Sequence, residues 1–335
     1  MKFVKCEVPP KTKTGKKIAI IGAGPSGLTA AGYLVCKGHE VVVYDMMPEP
    51  GGMLIFGIPE ERMKKDAIER GFRELEKFGV RFILNVKVGK DIPFDNILKE
   101  YDAVLIATGA WKDIELGLEG ENAKGVLHAV DLLSKVALAR RGHIPQTMVP
   151  KIGRKVIVIG GGDTAIDAAL VARNMGADVT IAYRRTKEMM PAKKSAVKQL
   201  EELGVKYVFL VSPSKIIVDE QGNVVGLECD VMSLGEPDSS GRPRPIPTGE
   251  KITFECDTVI FAIGEIATPP FEEPVKYGIK VDRKNRIIVD ERYMTTREGV
   301  FAVGDVVTGP KDIPSAIKAA LVASEAIHEY LENKS

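Results

Sequence analysis

Two clusters of small residues, each followed at a fixed distance by charge, hold the chemistry of this sequence. Gly22, Gly24 and Gly27 have G-x-G-x-x-G spacing, and Asp45 stands 23 residues after Gly22. Gly160, Gly162 and Ala165 repeat the pattern as G-x-G-x-x-A. Arg184 and Arg185, with Lys187 close behind, follow where the first cluster has its acid. Residues of this kind allow a tight turn, a close approach of backbone to a pyrophosphate, and close packing of a helix on a strand. The free N–H groups and positive end of the next helix then face the phosphates. An acid at the end of the second strand accepts from a ribose hydroxyl and repels a 2′-phosphate. Arginines there offer that phosphate fork-shaped donors. The first cluster therefore reads as a site for an ADP-containing dinucleotide, and the second as a site preferring NADPH to NADH.

Each fingerprint has the elements it needs. A buried apolar run at 18–21 precedes the first, a helical pattern covers 28–37, Gly38 stops it, and a β-branched run follows at 41–43. Around the second, 155–159 reads as buried strand, 165–175 as helix and 178–183 as strand. The two fingerprints start 138 residues apart, an internal repeat that separates two different ligands.

Further signals lie outside the repeats. The pair Gly51-Gly52 marks backbone that needs positive φ or very close ligand approach. The apolar run Met53, Leu54, Ile55, Phe56 reads as a loop suited to a flat ring such as isoalloxazine. A helix is predicted over 64–78, a strand over 80–88, and helices over 94–100 and 129–140. A buried strand at 104–107 ends in Thr108-Gly109, small residues that let the chain pass over a cofactor before leaving the domain. Short strands at 205–211, 215–218, 224–231 and 251–254, with a Gly/Pro/Ser-rich loop at 234–249, predict an antiparallel flap. A buried strand over 257–263 ends in Gly264-Glu265. Near the C-terminus a strand ends in Gly304-Asp305, where an Asp can accept from a ribityl hydroxyl. A helix over 314–331 follows, and its N-terminus can face the electron-rich end of a flavin.

Composition narrows the class. A chain of 335 residues suggests two domains. With 47 basic and 46 acidic side chains the net charge is +1, which argues for neither nucleic acid nor an anionic membrane as partner. No apolar run is long enough to span a bilayer, and the N-terminus lacks a signal-peptide core, so a cytoplasmic protein is expected. Residues 1–16 read as a solvated basic arm; the sharper alternative is a docking segment for an acidic partner. Cys6 falls in that arm as a flexible tail. Cys36, Cys229 and Cys256 read as small apolar residues without C-x-x-C spacing. The four histidines form no ligand cluster, and no metal site is expected.

Together these motifs resemble the two-dinucleotide-binding flavoproteins (pyridine nucleotide-disulfide oxidoreductase-like), and most of all the NADPH-oxidising small (beta) subunit of glutamate synthase. The stretch 50–59 looks like that family's flavin loop P-G-G-x-L-x-x-G-I-P, with Met53 preceding Leu54. Tyr183-Arg184-Arg185 and Met190-Pro191-Ala192 match its second module. The resemblance covers about 17–330. It implies an α/β fold of two Rossmann-like domains for FAD and NADPH, the second inserted in the first, each with antiparallel strands added. The implied division is a basic arm at 1–16, an FAD domain at 17–112 and 264–335, and an NADPH domain at 113–263.

The same resemblance implies FAD contacts from Gly22, Ala23, Gly24, Pro25, Ser26, Gly27, Tyr44, Asp45 and Met46. It adds Gly51, Gly52, Met53, Leu54, Ile58, Val88, Ala107, Thr108, Gly109, Gly304, Asp305, Ser315 and Ala316. NADPH contacts are implied at Gly160, Gly161, Gly162, Asp163, Thr164, Ala165, Arg184, Arg185, Lys187, Gly264 and Glu265, the last lining the nicotinamide side. No catalytic acid–base residue is implied, because hydride passes between cofactors. Two departures bear on function. Thioredoxin reductases carry a C-x-x-C that this sequence lacks, which disfavours a disulfide reductase. The glutamate synthase subunit carries an N-terminal iron–sulfur domain, and here only a short arm with Cys6 precedes the first strand. The expected activity is hydride transfer from NADPH to FAD, with electrons passed to an iron–sulfur or flavin partner such as a glutamate synthase large-subunit-like protein. Ferredoxin:NADP oxidoreductase-type transfer and a non-catalytic FAD-binding scaffold remain alternatives. An oligomer is compatible with the sequence.

Overall fold

The computed structural model describes residues 1–237 and 241–334. It divides into two compact units. The first is Met1–Phe56, Glu60–Lys112 and Glu265–Ser335; the second is Gly57–Pro59 and Asp113–Gly264.

The first unit opens with β1 (Lys17–Ile21), α1 (Pro25–Cys36) and β2 (Glu40–Tyr44). Then come α2 (Met53–Phe56), α3 (Asp66–Lys77), β3 (Arg81–Ile83), α4 (Phe94–Glu100), β4 (Ala103–Ile106) and β5 (Ala110–Asp113). The second unit runs β6 (Val126–His128), α5 (Ala129–Arg140), β7 (Lys155–Ile159), α6 (Asp163–Asn174), β8 (Asp178–Tyr183), α7 (Lys194–Glu202) and β9 (Lys206–Phe209). It continues with β10 (Val211–Val218), β11 (Val224–Pro237), β12 (Pro243–Glu255) and β13 (Thr258–Phe261). The chain then returns through β14 (Glu265–Ala267), β15 (Val300–Ala302), α8 (Asp305–Thr308) and α9 (Ile313–Glu332).

The main sheet of the first unit has the order β15-β4-β1-β2-β3, with every pairing parallel. A parallel sheet must be covered on both faces. Ile18, Ile20, Val41, Val43 and Leu105 pack on one side with α1 and α9; Ala19, Val42, Val104 and Ile106 pack on the other with Phe94 and Tyr277. This is why β1 reads as an unbroken apolar run instead of alternating. The second unit repeats the plan as β6-β13-β7-β8-β9, again parallel throughout, with β10-β11-β12 as a separate antiparallel sheet. In each main sheet the strand order reverses at the strand that leads into a glycine turn, β1 or β7. Open α/β sheets bind ligands at that switch point.

Five expectations change. The N-terminal segment is not a solvated arm along its length: Phe3 and Val4 are 1% and 0% exposed and belong to the core with Leu34 and Leu75. Gly32 and Gly71 make room for it, since a Cβ at Gly32 would lie 2.2 Å from the Phe3 carbonyl oxygen and one at Gly71 would lie 2.7 Å from the Phe3 ring. Counting lysines hid two apolar residues that have a slot waiting for them. Cys6 and Cys36 are joined in a disulfide across 30 residues, which by loop entropy contributes about 3.6 kcal/mol. Neither is the incidental residue expected.

The other changes have backbone causes. The strand expected at 80–88 stops at Ile83, because Asn85 takes φ +57° and turns the chain; Val88 keeps only an isolated bridge to Ile92. The strand expected at 205–211 is cut in two by Leu210 at φ +58°. Conversely, most of the loop expected at 234–249 is strand, with Leu234 paired to Pro245 and Met232 to Pro247. Pro243, Pro245 and Pro247 occupy alternate positions of an edge strand, so all three missing donors face one side and the ladder survives. Residues 238–240 of that expected loop lie outside the described residues.

Candidate functional site

The first glycine turn is a knot of main-chain contacts. Gly22 has φ +111°, donates its N–H to the Tyr44 carbonyl at 2.7 Å, and has no room for a Cβ, which would lie 2.2 Å from the Ala107 carbonyl oxygen. A Cβ on Gly27 would lie 1.9 Å from the Gly22 carbonyl oxygen. Gly24 differs: its φ of −76° suits any residue, and nothing lies within 4 Å of where its Cβ would be. No packing in the protein asks for glycine there, and the space left is a cradle a pyrophosphate fits.

Other expected residues converge on the same turn. The Gly51 N–H donates to the Ala23 carbonyl at 2.7 Å, and a Cβ on Gly52 would lie 2.9 Å from the Gly24 Cα. Asp45, 8% exposed, accepts from the Ala23 N–H (2.5 Å) and the Met47 N–H (2.7 Å). Thus the acid closes the turn, and each oxygen keeps a second lone pair for a ribose hydroxyl. From the far end of the chain, Gly304 at φ +75° places its Cα side against Ser26, whose hydroxyl donates to the Ala316 carbonyl at 3.3 Å. Asp305 opens α8 and accepts from the Lys311 N–H at 3.2 Å. Thr108 follows β4 beside Gly22, and its buried Oγ1 has no hydrogen-bond partner among the described residues. Such an orphan asks for a polar ligand atom.

Several expected residues also have protein partners of their own. Val88 is a core residue, and the Tyr44 hydroxyl is paired with that of Tyr101 at 2.8 Å. Ile58 belongs to the second unit. Met53 and Leu54 form a one-turn helix and not a loop. The Ser315 and Ala316 N–H groups are already engaged by Asp312, through Oδ1 at 2.7 Å and the carbonyl at 3.2 Å. What α9 can offer a ligand is its dipole rather than those donors. Lys65 was missed. It is 5% exposed, and its Nζ donates to the Leu54 carbonyl at 2.6 Å, fastening the 51–56 turn. A lysine just before a helix carries no sequence signal that it will be buried.

Burial pushes Asp45 up to about 6, against the pull of its two backbone N–H donors, and does the same to Asp305. A hydroxyl donating to either carboxylate favours the charged form, so ligand binding lowers these values. Binding energy is then fully present above about pH 6 and is lost as pH falls through it. We expect FAD affinity of the apoprotein, read by fluorescence quenching, to be flat from pH 8 to 7 and to fall by up to ~10-fold per coupled proton per pH unit below 6. A flat profile down to pH 5 would refute the acceptor role.

The second turn repeats the first. Gly160 has φ +144° and a Cβ there would lie 2.2 Å from the Ala262 carbonyl oxygen. Gly161 lies against the Tyr183 ring. Gly162, with φ −89°, has only Pro191 Cγ at 4.0 Å, an open cradle like that at Gly24. Asp163, Thr164 and Ala165 begin α6, and Ala165 is fully buried. The arginine pair splits. Arg184 is exposed at the end of β8. Arg185 is 2% exposed, and its Nε donates to the Pro243 carbonyl at 2.9 Å. The two expected phosphate forks therefore differ in environment, one exposed and one buried against β12. Lys187 pairs with Glu201 on α7. Gly264, at φ +121°, closes the second unit, and Glu265 is half-buried in the first.

Among the described residues no group of acidic, histidine or cysteine side chains could hold a metal ion, and no helix is long and apolar enough to cross a membrane.

A family model described as pyridine nucleotide-disulphide oxidoreductase matches residues 16–320. The glutamate synthase [NADPH] small chain of Halomonas elongata is 40% identical over 335 residues, covering 96% of this chain and 69% of that protein. NADPH-Fe(3+) oxidoreductase subunit beta of Geobacter sulfurreducens is 37% identical over 351 residues, covering 96% of this chain and 51% of that one. Among solved structures, FprA of Mycobacterium tuberculosis in complex with NADPH has the same fold, with a TM-score of 0.80 at 22% identity, covering 95% of this chain and 85% of that one. The fold is therefore α/β with two Rossmann-like dinucleotide-binding domains, and the chain belongs to the pyridine nucleotide-disulphide oxidoreductase family as an NADPH-dependent flavin oxidoreductase.

Proposed function

We propose that this oxidoreductase binds FAD in its first unit and NADPH in its second, and passes the electrons to a separate protein. The observation that carries the reading is the pair of glycine turns at the switch points of two like sheets, one closed by a carboxylate and one followed by an exposed arginine. Bound NADPH supplies a hydride and bound FAD a two-electron acceptor. The chain's own residues hold and orient: Gly24 and Thr108 admit the flavin nucleotide, Asp45 and Asp305 accept from its hydroxyls, and Arg184 takes the 2′-phosphate of the nicotinamide nucleotide. Positioning of this kind needs no acid–base pair.

Onward transfer to a partner is supported by the names of the relatives, several of which are subunits: the small chain of a glutamate synthase, the beta subunit of an NADPH-Fe(3+) oxidoreductase, and the beta subunit of an NADP(+)-dependent formate dehydrogenase. An iron–sulfur or flavin protein, such as a glutamate synthase large-subunit-like chain, fits that role. Disulfide chemistry finds no support. Cys229 and Cys256 are buried, and burial pushes both thiols up to about 12. The Cys6–Cys36 bridge sits at the far end of α1, about 18 Å along the helix from the glycine turn.

Anaerobic mixing of the FAD-loaded protein with NADPH tests the reading. Loss of the oxidised flavin absorbance, with slow reoxidation until an iron–sulfur or flavin protein acceptor is added, is expected. An unbleached flavin overturns the enzyme reading, and rapid turnover of a small substrate alone overturns the partner.

A further inference from the structure

The hairpin β11–β12 is bound to the loop that follows β8 at several points. The Arg185 carbonyl accepts from the Leu210 N–H at 3.2 Å, and the Leu210 carbonyl accepts from the Met232 N–H of β11 at 2.8 Å. The Arg185 Nε donates to the Pro243 carbonyl of β12 at 2.9 Å. Leu210 makes its two bonds from the left-handed region, at φ +58°, a conformation that costs about 1 kcal/mol or more in a branched residue and needs such contacts to hold it. Burying a guanidinium to 2% exposure is likewise costly, and one of the bonds it makes there secures β12.

What it secures is a strand whose next residues on either side are arginines, in the run Arg242-Pro243-Arg244. Each Cα is 3.8 Å from that of Pro243, and an arginine side chain reaches about 7 Å, so both cations are held near the end of β8, where Arg184 is exposed. Arg242 immediately precedes β12 and Arg244 is its second residue, so the two flank the docked position.

We infer that the hairpin is part of the NADPH site: Arg185 is a positioning residue that docks it, and Arg242 and Arg244 are specificity determinants that join Arg184 around the 2′-phosphate. The inference rests on reading the second glycine turn as the NADPH site. A phosphate carrying two negative charges recruits more than one fork, and arginines on a flap, Arg244 exposed and Arg242 half-buried, reach it without displacing the adenosine. The flap thereby gains a purpose that its packing does not explain, since β12 is an exposed edge strand with Ile246 and Ile252 open to solvent.

The test uses calorimetry of NADP⁺ and NAD⁺ on the FAD-loaded full chain. The double variant Arg242→Ala/Arg244→Ala is expected to weaken NADP⁺ at least ~10-fold while NAD⁺ stays within about twofold. Arg185→Ala is expected to do the same and to speed amide exchange in β12, with partial rescue by Arg185→Lys. Because Arg185→Ala also removes a buried contact, the double variant on the exposed strand decides. Equal effects on the two nucleotides, or none, overturn the inference. Arg184→Ala separates the two levels. If it weakens NADP⁺ and the double variant does not, the hairpin role alone fails; if neither does, the NADPH site itself is misplaced.

Discussion

Gly24→Ala is expected to leave the protein folded and to strip it of flavin. The backbone at Gly24 is extended, with φ −76° and ψ −174°, and no protein atom lies within 4 Å of the added methyl group. The cost to the apoprotein is that of an alanine at a helix N-cap already lacking a side-chain bond, at most ~1 kcal/mol. The methyl group fills the space that a pyrophosphate would take, and overpacking of that kind costs ~1–3 kcal/mol, or roughly a 5- to 150-fold loss of FAD affinity. Thermal unfolding of the apoprotein and FAD titration measure the two effects separately. Gly27→Ala is the control with the opposite pattern. Its Cβ would lie 1.9 Å from the Gly22 carbonyl oxygen, so β1 and α1 must separate, and the apoprotein itself is destabilised. Flavin affinity of Gly24→Ala equal to that of the unaltered chain would show that the cradle is not the cofactor's.

Arg184→Ala is expected to weaken the preference for NADPH strongly. It should lower kcat/KM with NADPH by ~10- to 100-fold, the worth of one charge-assisted fork, and leave NADH within about threefold. The exposed position of Arg184 at the end of β8 means that little stability goes with it. Arg185→Ala belongs to a different class, since it removes a buried contact to the Pro243 carbonyl. A variant lacking both arginines would mix loss of phosphate binding with loosening of the hairpin. Equal losses with NADPH and NADH for Arg184→Ala would refute the phosphate role.

Much of this was legible in order along the chain. The strands at 155–159 and 178–183 and the helix at 129–140 fall where the apolar patterns put them. Buried parallel strands advertise themselves because both faces are apolar, and glycine turns do so because few residues accept the backbone they need. Short-range signals failed where one residue's backbone broke a pattern. Asn85 and Leu210, each with a left-handed φ, ended strands that hydropathy alone would continue. The proline-studded β12 failed in the other direction, because proline at every second position leaves an edge strand intact.

The two glycine turns, their order and the different charge that follows each are legible locally, because these depend on residues within about 30 positions of one another. Tertiary structure decided which of those residues are free to meet a ligand. Arg184 and Arg185 are neighbours with the same side chain, yet one is exposed and the other is buried under a hairpin strand 58 residues away. Phe3, Val4 and Cys6 looked like a charged tail, yet they are held by α1, by the slots at Gly32 and Gly71, and by Cys36. The physical reason is the same in both cases. Local pattern sets backbone conformation, whereas burial and hydrogen-bond partners depend on which distant surface fills the space beside a side chain.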